Sequence, residues 1–198
     1  MTTLAELLTE VYALTNRPDL TAETTSAIKA ATLKAHQTDF YSKDIFEIGV
    51  EFTDSDFRQS LDYTAFISNL RAFKYIRRVE DETDDVGKFF DIISVDESLD
   101  SYGINRVDVA YVAGRVLEMR SSVTFTKALL GAYVFPIVAP TADYASWIAD
   151  LYPYVIIYEA ARVVFKQIGY DEQSAQFNSL VAEQYVLLKA SALPDVGY

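Results

Sequence analysis

The chain has 198 residues, 51% hydrophobic and 14% aromatic, with 14 Tyr and 12 Phe against 7 Gly and 5 Pro. That composition excludes a disordered polymer and predicts one folded domain over 1–198. Its formal charge of −12 is the wrong sign for a general nucleic-acid binder, whose phosphate contacts reward clustered Lys and Arg. With no Cys, disulfides and thiolate metal sites are excluded. The opening Met1-Thr-Thr-Leu-Ala-Glu6 has no basic run before an apolar one, and no apolar stretch reaches 18 residues, so neither a signal peptide nor a membrane span is expected.

Leu4, Leu7, Leu8, Val11 and Leu14 recur at helical spacing, and Thr3 with Glu6 makes a capping box, which predicts a first helix over 3–15. Asn16-Arg-Pro18 stops it, and Thr21 offers a cap for a second helix running to Gln37. The buried side of that helix is expected at Thr24, Ala27, Ile28, Ala31 and Ala35. The pair forms a helical hairpin over 1–40.

The period then falls to two. Residues 45–52, 71–79, 89–94, 107–113, 115–121 and 129–137 are rich in β-branched and aromatic side chains and predict a central antiparallel sheet in a β-rich middle, 45–137. Gly114 supplies the positive φ of a hairpin turn. Over 66–79 both helix and strand fit, with strand expected for the second half. Ser94 is placed to cap a short helix over 95–102.

After Pro140 the helical period returns as a helix pair over 141–192. Thr141 or Asp143 caps a short turn, Asp150 caps the next helix, Pro153 sits in its first turn and Gly169 ends it. From Trp147 to Ile168 apolar residues point almost everywhere, so the helix must be covered on most sides, and Glu159, Arg162 and Lys166 form its one wet stripe. Phe177, Leu180, Val181, Gln184, Tyr185 and Leu188 make the stripe of the last helix. A tail, 193–198, has no periodicity. The order of elements predicts an α+β fold. The many Tyr residues either edge the core or serve surfaces that are covered on assembly.

Catalytic chemistry finds little support. Nucleophilic catalysis usually needs a His base, and the single His36 reads as a half-exposed residue near a helix end, so a hydrolytic triad is not expected. No glycine pair forms a phosphate cradle. Nine acids between Glu80 and Asp100 include Asp81, Thr83 and Asp85 at calcium-loop spacing, but the required Gly and closing carboxylate are misplaced, which leaves a solvated acidic loop. No metal and no cofactor is expected. Glu47, Glu51, Glu118 and Glu159 are the acids that would serve an alternative function, a tail-associated glycoside hydrolase acting on peptidoglycan. Arg71, Lys74, Arg77 and Arg78 form a basic strip that reads either as a contact for an acidic or phosphate-bearing partner, including a DNA-contacting module, or as charge protection of an edge strand.

The stretch Ser101-Tyr-Gly-Ile-Asn-Arg-Val-Asp-Val-Ala-Tyr-Val-Ala-Gly114 with Arg120-Ser-Ser122, then Tyr144-Ala-Ser-Trp147, Tyr158-Glu-Ala-Ala-Arg-Val-Val-Phe165 and the opening run Leu8 to Asp19, resembles tailed-bacteriophage head-to-tail adaptor proteins. The resemblance spans nearly the whole chain and contains no catalytic motif. It implies a non-enzymatic structural virion protein of the neck, made in the host cytoplasm. Such a protein forms a dodecameric ring under the portal protein, extends the DNA channel and offers a platform to tail or nozzle proteins. Packaged DNA passes without specific binding, since an acidic wall repels it. The C-terminal segment of related adaptors enters the portal, which here implies a docking tail of Leu193, Pro194, Asp195, Val196, Gly197 and Tyr198. A loose tail that orders on docking predicts a monomer when free.

Overall fold

A computed structural model describes residues 2–79, 88–98, 106–139 and 144–191. The chain divides into two compact units, Met1–Asp44 with Phe135–Tyr198, and Ile45–Val134, so the β-rich middle is an insertion in a helical unit. The class is α+β, with helices first and last around a mixed sheet.

In the helical unit, α1 (Leu4–Thr15) opens on the expected box: Thr3 Oγ1 accepts the Glu6 N–H at 3.2 Å and the Glu6 carboxylate accepts the Thr3 N–H at 2.8 Å. Asn16 ends it in the left-handed region, φ 52°, two residues before Pro18 acts. Of the predicted stripe, Leu14 is exposed. In α2 (Thr21–Gln37) Thr21 does not cap. It is already helical, and its hydroxyl donates back to the Pro18 carbonyl. The expected buried face is present and extends to Thr32 and His36.

The apolar stretch from Trp147 to Ile168 divides into α4 (Trp147–Leu151) and α5 (Pro153–Gln167), the main helix starting near Pro153 as expected. Pro153 begins α5, where its missing N–H costs nothing, while Asp150 lies inside α4 and accepts the Thr2 N–H instead of capping. Gly169, φ 80°, closes α5, and α6 (Asp171–Ser191) runs back along it. Residues 140–143, with the caps expected at Thr141 or Asp143, lie outside the described residues. Leu7, Val11, Ile28, Ile148, Ile156, Val164 and Leu188 form the core, and Ala27, Ala31 and Ala35 let α2 approach α5 closely. Leu180, expected on the inner stripe of α6, faces outward.

The inserted unit is built on two long strands, β1 (Ile45–Asp62) and β5 (Val116–Val134), paired antiparallel, with β2 (Leu70–Val79) and β4 (Val109–Ala113) on the other side of β5. Three expectations are corrected. Two predicted strands, 115–121 and 129–137, are one. Strand one runs ten residues beyond 52, bending at bulges between Glu51 and Arg58, where the Gln59 side chain donates to the Asp54 and Phe125 carbonyls. The sheet is not wholly antiparallel, because β3 (Asp91–Ile92) pairs parallel to β4. In 66–79 the strand, expected for the second half only, begins already at Leu70, and only 66–69 form a turn. Ser94 caps α3 (Val95–Ser98) with Glu97 answering, and Gly114, φ 64°, turns β4 into β5. The core face carries Val50, Ile76, Phe90, Leu117, Met119, Phe125 and Leu130.

Candidate functional site: a buried polar network and an aromatic face

His36 is 1% exposed, not half-exposed. Its Nδ1 lies 2.8 Å from Asp44 Oδ1 and its Nε2 2.9 Å from Ser146 Oγ, so residues 8 and 110 positions away converge on one imidazole. A carboxylate only accepts, so Nδ1–H donates to Asp44, and in the neutral ring Nε2 accepts the Ser146 hydroxyl proton. Trp147 Nε1–H donates to the same Asp44 oxygen at 2.7 Å, while Asp44 Oδ2 is buried without a partner among the described residues. Trp147 is further held by edge contacts with Tyr41 and His36 and by Lys43 over its ring.

This connectivity is that of an acid, a base and a nucleophile in a row, which an acyl transfer requires. Ser146 Oγ accepts the Ala149 N–H at 3.3 Å and shares a hydrogen bond with His36 Nε2 at 2.9 Å. Ser146 is 7% exposed, which leaves little surface open to a substrate. Burial pushes the Tyr144 hydroxyl up to about 12, so it stays neutral and donates to Thr32 Oγ1, whose own proton goes to the Ile28 carbonyl. Sequence reading missed the network, although Ile28, Thr32 and His36 recur every four residues and so place His36 on the buried face of α2.

Each of the four candidate acids has a partner of its own. Glu159 is 2% exposed, contrary to the wet stripe expected for it, because Lys34 reaches it from α2 at 2.7 Å and Arg162 from one turn on at 2.7 Å. Burial pushes its carboxyl up, but these two cations outweigh it and hold it below the ordinary range, the opposite of what proton donation at neutral pH needs. Glu118 is likewise low: burial raises it, and Ser60 and Arg58 more than offset that. Glu51 pairs with Lys127, and Glu47 accepts from the Tyr75 hydroxyl.

The basic strip is not one surface. Arg78 is buried, donating to Ser121 Oγ at 2.6 Å with Asp108 at 3.7 Å, whereas Lys74 is exposed with its ammonium over the Tyr133 ring. The outer side of β2 is covered from Ile76 to Arg78, where the backbone of Lys88 and Phe90 bonds it. The docking tail, Leu193 to Tyr198, and the acidic loop residues 80–87 and 99–100 lie outside the described residues. Among the described residues no three His, Asp or Glu side chains gather as a metal site requires, and no helix is long and apolar enough to cross a membrane.

The α5–α6 hairpin is rich in aromatic contacts. Rings follow one another along the α5–α6 hairpin, Tyr154 to Tyr158 at 5.3 Å, Tyr158 to Phe177 at 5.9 Å, Phe177 to Phe165 at 5.7 Å and Phe165 to Tyr170 at 6.4 Å. Phe165 in this run is buried and Tyr158 and Phe177 are half-buried, whereas Tyr154, Tyr170, Leu180 and Val186 on the same elements and their connection are exposed, Val186 by 66%. Such a run of rings and aliphatic groups binds by burial and does no bond-making of its own. No protein-family model matches the chain, and no curated protein matches it.

Proposed function

We propose that the chain is a structural subunit of a tailed-phage neck, a head-to-tail adaptor that docks as a ring under the portal protein. In that reading it lengthens the DNA channel and presents a platform to tail proteins. The exposed aromatic and aliphatic face of α5 and α6 carries the proposal. Large apolar side chains such as Tyr154, Tyr170, Leu180 and Val186 are costly to leave in water and favour a protein neighbour. Two further features support it: the family resemblance along the chain, and a charge of −12 that suits a wall past which a duplex slides. The buried Asp44–His36–Ser146 row belongs in this reading to the scaffold.

The test is direct. Purified chain is mixed with portal rings and the native mass of the product is measured across a salt series. A ring of added subunits on each portal is expected, with the uncombined chain monomeric. No added mass at any salt concentration would refute the proposal.

A further inference from the structure

The network around His36 sits at a particular place in the chain. Asp44 is the last residue of the helical unit before the insertion, and Ser146 and Trp147 open α4 on the segment that returns from it. The insertion brings its own ends together, because Ile45 pairs with Tyr133 across β1 and β5. Both crossings therefore run near each other, and one imidazole on α2 binds both of them.

We propose that Asp44, His36, Ser146 and Trp147 form a latch that holds the departing and returning segments of the chain to α2, and that its release opens these segments without unfolding α5. The reasons are local. A helix of five residues such as α4 has no stability of its own, since nucleation outweighs so few hydrogen bonds. Its start is fixed by Ser146, whose Oγ caps the Ala149 N–H and is hydrogen-bonded to His36 Nε2. The departing segment has one short turn, Ser42–Asp44, closed by Asp44 N–H on the Tyr41 carbonyl at 3.0 Å. Asp44 Oδ1 receives both His36 and Trp147, so a single carboxylate joins all three pieces of chain. By contrast α5 is packed between α1, α2 and α6 and keeps its own ladder when the latch is cut.

Native-state hydrogen exchange on the full chain tests this. In Asp44→Ala the amides of Ala149, Asp150 and Tyr152 should exchange about tenfold to hundredfold faster, the loss expected from one or two buried hydrogen bonds, with those of Ala160 and Val164 unchanged. Trp147→Phe, which keeps a ring and removes only the N–H, should give the same pattern at smaller size, and it answers the question if Asp44→Ala does not fold. Unchanged exchange in the α4 amides, or equal acceleration through α5, would overturn the latch. Ring assembly on the portal is a separate readout, so failure of the latch and failure of the adaptor reading are distinguishable.

Discussion

Glu159 is a carboxylate held inside the helical unit by Lys34 and Arg162, and its behaviour with pH follows from that. Its folded value lies below the ordinary 4.5, so the stabilisation it provides is complete above that value and is lost as pH falls through the depressed one. Glu159→Gln should cost about 2 kcal/mol at pH 7, and the gap to the parent chain should close in acid, as read by urea unfolding at several pH values. A constant gap would contradict the assignment. Ser146 gives a second prediction. Buried and hydrogen-bonded to His36 and to the Ala149 N–H, Ser146 should be left unlabelled by an organophosphonate probe, and stoichiometric labelling seen by mass spectrometry would mean that the network opens to a substrate. A third concerns Gly131, above which the Tyr75 ring passes on its way to Glu47. A Cβ there collides with that ring, so Gly131→Ala should destabilise by about 1–3 kcal/mol through displaced packing, with the Tyr75 ring signals shifted in an NMR spectrum.

At the scale of elements, the helices were legible wherever a cap or stop acts through nearest neighbours. Thr3 with Glu6, Pro153 and Gly169 each do this, and α1, α5 and the turn into α6 begin and end where local chemistry directs. The strands were legible only where they bury side chains. Residues 53–62 of β1 are polar and mostly exposed, so their pairing with β5 leaves no alternation to read, and the bulges around Asp56 shift the little there is. Glu159 looked wet because a helical wheel shows one helix, and Lys34 arrives from another. His36 was obscured for the same reason, since its partners come from distant segments. The apolar surplus of α5 is covered by α1, α2 and α6, while the exposed Leu180 of α6 was expected inside, so the outward apolar side chains of α6 were not legible. Val186→Glu, on its most exposed position, should leave helix content and melting temperature nearly unchanged by circular dichroism, because the side chain already stands in solvent.

At the scale of the whole molecule, a chain of charge −12 repels its own copies, so a ring must be held by apolar burial that exceeds this repulsion. Screening weakens repulsion between exposed charges more than it weakens burial, and assembly on the portal should therefore tighten as salt rises from about 0.01 to 0.15 M. Weakening over that range would point to a contact made by opposite charges. The measurement that bears most directly on assembly through the apolar face is the native mass of portal rings mixed with the parent chain and with a Leu180→Glu, Val186→Glu variant. The account predicts a full added ring for the parent and bare portal for the folded variant. A full ring for both would contradict it.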